Sequence, residues 1–230
     1  MKTLGLIGGM SWESTTTYYQ WLNRLARMRL GGQHSAKLVI WSVDFAPIAA
    51  LQAAGDWEGA TAVMVDAATR LEGASADAIL ICANTMHLMA SEVAAAISIP
   101  VLHVADAAAS AIRAAGSRRP LLLATRFTME KSFYRDRLRA GGVEAVLPEA
   151  DERDRLHAIV FDELVQGRFE PASRAELIEI TRRAMARDGA DGVILGCTEF
   201  GLLVGAADMP VAVFDTTEIH ARAGIDFALA

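Results

Sequence analysis

Residues 76–87 read ADAILICANTMH, and residues 190–200 read ADGVILGCTEF. In each stretch a short apolar run ends at a cysteine, and small and polar residues follow. Such runs have strand length, and the polar residues after them read as the loop at the strand's carboxyl end. Cys82 and Cys197 are the chain's only cysteines, so both thiols fall at the same kind of place.

The rest of the chain repeats this grammar. Strand candidates cover residues 3–7, 37–43, 78–81, 101–104, 121–124, 143–146, 192–195 and 211–214. Helical stripes lie between them. Ala60, Val63, Met64, Ala67, Ala68 and Leu71 recur at helical spacing, as do Leu177, Ile178, Thr181, Ala184 and Met185. Ser173 with Glu176 has the form of a capping box, and Gly73 and Gly189 stand where helices should end. Alternation of this kind defines an α/β fold with parallel sheets flanked by helices.

The two halves also resemble each other. The cysteines stand 115 residues apart, half of the 230-residue chain. After each, a proline opens a similar strand, PVLHVADA from Pro100 and PVAVFDTT from Pro210. Each half begins with an apolar strand and a small-residue loop, LGLIGGMS from Leu4 and LLLATRFT from Leu121. Three matches in one order indicate an internal duplication into two pseudo-symmetric domains. Ligands of open parallel sheets bind beyond the carboxyl ends of the strands. The expectation is an active site in an interdomain cleft, with one thiol on either side of a single ligand.

Composition narrows the function. The chain is 53% hydrophobic and 22% charged, a globular balance, and its net charge of −6 argues against a nucleic-acid surface. Arg135, Arg137 and Arg139 read as a solvated helix face. The apolar start at residues 4–7 is too short for a signal-peptide core, and no run reaches the ~18 residues of a membrane span. A cytoplasmic protein with reduced thiols and no membrane or nucleic-acid partner is expected. The GLIGGMS turn lacks both the dinucleotide and the P-loop patterns. His87 follows Cys82 by five residues, but no further Cys or His stands at ligand spacing, so no metal is expected. His34, His103, His157 and His220 show no clustering in sequence.

Two opposed thiols suit one chemistry. A thiol brought towards a neutral pKa is an acid, and its thiolate is a base. A base on one face of a carbon and an acid on the other invert a stereocentre. Cys82 and Cys197 are therefore the candidate catalytic pair, each expected to be essential. Helices starting just after them would aim backbone N–H groups at a thiolate or a substrate carboxylate. Asn84, Thr85 and Thr198 can supply directed hydrogen bonds. Glu199 can orient an ammonium group or tune the thiol. Met10, Ser11, Thr125 and Thr128 end the other strands and complete the substrate-binding set. Two rivals stand beside a racemase. One is an isomerase or decarboxylase of small dicarboxylic acids, which needs one thiol. The other is an amino-acid-binding module without turnover.

At KTLGLIGGMSWEST, SVDF, CANTMH, PEADER and GCTEFGLLV, residues 2–204, the chain resembles the cofactor-independent aspartate/glutamate racemase family. Within it, the chain is similar to the broad-specificity amino-acid racemases typified by the enterobacterial YgeA proteins. The resemblance implies no pyridoxal phosphate and no metal, a small amino-acid substrate, a homodimer, and catalysis by Cys82 and Cys197. It implies a C-terminal tail packed on the first domain, hence a division into 1–104 plus 216–230 and 105–215. The family's strict aspartate racemases carry an arginine where SVDFAPIAALQ has none, and a lysine near Gln166 and Arg168. Related glutamate racemases carry a histidine where Glu199 stands. These departures imply a substrate range wider than aspartate, taking in glutamate, homoserine or neutral amino acids.

Overall fold

The computed structural model describes all 230 residues. The chain divides into two compact units, Met1–Val104 with His220–Ala230, and Ala105–Ile219. The first unit holds a parallel sheet of β1 (Leu4–Gly8), β2 (Leu38–Ser42) and β3 (Ala78–Ile81), in the order β2-β1-β3. The second holds β4 (Leu121–Leu123), β5 (Gly192–Leu195) and β6 (Ala212–Asp215), also parallel, in the order β4-β5-β6.

Two expected strands shrink to single bridges, Ile79 with Val101 and Leu121 with Val146. Helix Val104–Ala114 starts three residues after Val101, and Pro148, which has no N–H to offer, follows Val146 closely. With these bridges each sheet has four rows, and the chain visits them in the same order in both units. The duplication is thus visible in the topology.

The helices follow the stripes, with one correction at their caps. Helix Trp57–Gly73 buries Ala60, Met64, Ala67, Ala68 and Leu71, and helix Pro171–Asp188 buries Leu177, Ile180, Thr181 and Ala184. Pro171 fits the first helical turn and starts the second of these earlier than expected, after Glu170. Ser173 therefore lies inside the helix and donates to the Glu163 carboxylate, while Glu176 pairs with Arg155 at 2.9 Å. The capping box is instead Glu149 with Glu152, ahead of helix Ala150–Ala158.

In the first unit the alternation along β3 feeds two cores. Ala78, Leu80 and Cys82 pack with Leu4, Leu6, Tyr18 and Leu22. Ile79, Ile81 and Ala83 pack with Ile7, Met10, Ile48 and Met64. Helix Thr216–Leu229 closes the first of these cores with Ala221, Ile225 and Ala228. The Ala228 carbonyl accepts from the Lys2 amide at 2.9 Å.

His220 is fully buried beside that core. Its Nε2 lies 2.7 Å from the Leu102 carbonyl, which can only accept, so Nε2 carries the proton. Nδ1 then accepts from the Tyr18 hydroxyl at 2.9 Å. Burial pushes the His220 pKa down to about 4, from an ordinary 6.5. The unfolded chain binds this proton first, so stability is complete above about pH 6.5 and falls as pH drops towards about 4. The loss is on the order of 3 kcal/mol. Urea midpoints at about pH 7 and about pH 5 should differ less in His220→Gln than in the parent.

Candidate active site

At the end of β1, the Gly9 amide donates to Thr15 Oγ1 at 2.8 Å, and that hydroxyl donates to the Ser11 carbonyl at 2.9 Å. The Ser11 hydroxyl caps helix Trp12–Leu30 by accepting from the Ser14 amide. Met10 and Ser11 are buried in this loop. The Cys82 amide donates to the Ile7 carbonyl at 2.9 Å, so the loop after β3 lies alongside. Asn84 and Thr85 follow in that loop, both buried. The first unit therefore groups Met10, Ser11, Cys82, Asn84 and Thr85 at its strand ends.

The second unit groups the others. Thr125 and Thr128 follow β4, their hydroxyls 3.3 Å apart. The Gly196 amide donates to the Leu123 carbonyl at 2.7 Å, which sets the loop after β5 beside them. In that loop the Cys197 thiol donates to Glu199 Oε2 at 3.0 Å, and the Thr198 hydroxyl donates to the same oxygen at 2.8 Å. All three side chains are buried.

Beyond Cys82 a 3₁₀ segment, Thr85–Met89, runs straight into helix Ala90–Ala96, and beyond Cys197 stands the single turn Phe200–Leu203. Burial pushes the Cys82 pKa up, and nothing opposes it. Burial also raises Cys197 well above its ordinary value, and the Glu199 charge adds to this. The amides of Glu199 and Phe200 pull the other way. Burial thus works against near-neutral thiols at both positions, and only Cys197 has backbone amides that oppose it. In Glu199→Gln the repelling charge is gone, so iodoacetamide alkylation of Cys197 should set in at lower pH than in the parent.

Three features escaped the sequence. Gln52 shares the buried side of helix Phe45–Ala54 with Ile48, and its amide donates to Met86 Sδ at 3.0 Å. A glutamine four residues from an isoleucine on an apolar face was the available signal. His87, His103 and His220 do cluster, with the His87 ring 4.6 Å from His103 and 5.5 Å from His220. Their wide sequence spacing hid this. His87 donates from Nδ1 to the Ala83 carbonyl and accepts at Nε2 from the Val104 amide. Thr217 is buried just beyond β6, and its hydroxyl has no partner. Gln166 and Arg168 are exposed and bonded to the carbonyls of Phe161 and Asp162. No group of three or more His, Cys, Asp or Glu side chains is arranged to hold a metal, and no helix is long and apolar enough to cross a membrane.

The register settles which positions correspond between the halves. The pairing of β1 with β3 ends on Ile7–Ile81, and that of β4 with β5 ends on Leu123–Leu195. The next amides, of Cys82 and Gly196, bond to Ile7 and Leu123. At the other end of the strands, the Asp77 amide bonds to Thr3 and the Asp191 amide to Arg119. Cys82 therefore corresponds to Gly196, and Cys197 corresponds to Ala83. The expectation that duplication places the same group twice is corrected. Side chains alternate along a strand, so a shift of one residue sends the thiol to the other face of the sheet.

Two parallel α/β units with polar loops and an acid-paired thiol at the strand ends define a class of enzyme that works on small ligands. The profile of the Asp/Glu/hydantoin racemase family matches residues 7–224, and the chain belongs to that family. Over its full length it is 46% identical, with a TM-score of 0.91, to a provisionally assigned Asp/Glu racemase from Yersinia pestis, all of whose chain is covered. It is 35% identical, with a TM-score of 0.86, to an aspartate racemase homologue from Pyrococcus horikoshii, again with both chains wholly covered. It is 22% identical to the broad-specificity amino-acid racemase RacX of Bacillus subtilis, over 73% of this chain and 71% of that one.

Proposed function

We propose that the chain is an amino-acid racemase that needs no bound cofactor and uses Cys197 as its acid/base. The observation that carries this is the buried Cys197–Glu199 contact at 3.0 Å. The thiol proton passes to the Glu199 carboxylate, leaving a thiolate faced by the amides of Glu199 and Phe200. The thiolate takes the α-proton of the amino acid, and the C–H electron pair moves into the carboxylate as an enolate. Asn84, Thr85 and Thr198 are the candidate donors to that developing charge, where preorganised hydrogen bonds act most strongly. Return of a proton to the opposite face completes racemisation.

The substrate range in this reading extends past aspartate to glutamate, homoserine and neutral amino acids, since no arginine stands on helix Phe45–Ala54. A homodimer in the cytoplasm goes with the same reading. The test is chiral chromatography of L- and D-amino acids incubated with the purified protein and no additive. The antipode of at least one should accumulate. A second reading has one observation in its favour. The two thiols stand at non-equivalent positions of the two repeats, and a decarboxylase or isomerase of small dicarboxylic acids needs only one thiol. Turnover of maleate or a substituted malonate, with every amino acid unchanged, would select it.

A further inference from the structure

A racemase that treats both enantiomers alike needs an acid/base at equivalent positions of its two repeats. In this chain the position equivalent to Cys197 is Ala83, whose methyl group carries no proton. Cys82, one residue earlier, is 0% exposed and packs among Leu4, Leu6, Tyr18, Leu22 and Ala221. The Leu80 carbonyl lies 4.0 Å from its sulfur, the outer limit of a thiol hydrogen bond. In the second repeat the corresponding position is Gly196, where a Cβ would lie 2.7 Å from Leu122 Cδ1. A thiol in one repeat and a hydrogen in the other mark a packing position. Ala83 instead packs on the Met10 side of the sheet, in the core that also holds Ile7 and Met86.

Resting on the racemase reading, we infer that Ala83 determines stereochemical selectivity: Cys197 is the one cysteine acid/base, Cys82 is a core residue, and the enzyme handles its two enantiomers unequally. The enantiomer that presents its α-hydrogen to Cys197 loses it to the thiolate. The resulting enolate regains a proton at the same face from Cys197, restoring the starting enantiomer. Alternatively it takes one at the other face from water, which leaves hydroxide and gives the antipode. The opposite enantiomer has no thiol facing its α-hydrogen and exchanges slowly.

The experiment measures α-proton exchange of each enantiomer in D2O for the parent and for Cys82→Ala, Cys82→Val and Ala83→Cys. Alongside it, folded parent protein is labelled with iodoacetamide and the two cysteine peptides are compared by mass spectrometry. The inference expects Cys82→Val, and Cys82→Ala where it folds, to keep exchange within about threefold of the parent. Ala83→Cys should raise exchange of the slow enantiomer at least about tenfold, because a placed acid/base contributes ~10²–10⁴. Cys197 should be alkylated well ahead of Cys82. Loss of exchange by about a hundredfold in a folded Cys82 variant would overturn the inference. So would alkylation of Cys82 as fast as Cys197, or an accessible thiol at residue 83 that leaves the slow enantiomer unchanged. Absence of exchange from every amino acid in the parent would instead defeat the racemase reading, and the labelling order would still decide the roles of the two cysteines.

Discussion

Cys197→Ala should lower racemisation at least about 10³-fold, because the group that removes the α-proton is gone and no other thiol faces the substrate. The fold should survive. Cys197 lies beyond β5 in a polar loop, and a small side chain already stands at the equivalent place in the first repeat, Ala83. A melting temperature within a few degrees of the parent, with turnover lost, is the expected pair of results. The substrate's KM should change little, since the thiol contributes to the transition state and not to ground-state binding. A variant that loses binding and stability together would make Cys197 a structural residue.

Gly9→Ala should have the largest effect on stability. Gly9 has a φ of +89°, and a Cβ built there would lie 2.2 Å from the Val43 carbonyl oxygen and 2.6 Å from its nitrogen. These are backbone atoms, and the Val43 amide is itself held by the Gly8 carbonyl at 3.0 Å, so neither side can yield cheaply. Left-handed strain and collision together should cost about 4 kcal/mol or more, a fall of ~10 °C in melting temperature for a chain of this size. Gly31→Ala is the control. Gly31 also has a positive φ, +78°, but nothing lies within 4 Å of its Cβ position. Its cost should be about 1–3 kcal/mol, from backbone strain alone. Equal effects at the two sites would show that collision with Val43 is not what fixes the loop.

Much of the fold was legible because its determinants are local. Apolar runs at 78–81 and 192–195 became β3 and β5 without change, and the stripes at 60–71 and 177–185 fell on buried helix faces. The strand at 143–146 failed for a local reason also present in the sequence, the proline at 148. The repeat is legible as well, but aligning the two cysteines puts its register one residue out. Counted from Ala76-Asp77 and Ala190-Asp191, the halves align without a gap, and Cys197 falls opposite Ala83. Those aspartates hold the register physically. Asp77 accepts from the Thr3 amide, and Asp191 accepts from the amides of Arg118 and Arg119, ahead of β1 and β4 respectively. A carboxylate that ties two strand starts is a better anchor for alignment than a thiol, whose side-chain role differs between the halves. The histidine cluster was not legible at all. His87, His103 and His220 meet only because the last helix returns to the first unit, a long-range event that no local pattern announces.

Removal of the α-proton by Cys197 is tested most directly by deuterium wash-in. Single amino acids, as separate L- and D-forms, are incubated in D2O with the parent protein and with Cys197→Ser, and the α-proton signal is followed by NMR. Wash-in is expected for at least one amino acid with the parent and none above background with the variant. Wash-in that persists unchanged in folded Cys197→Ser would contradict it.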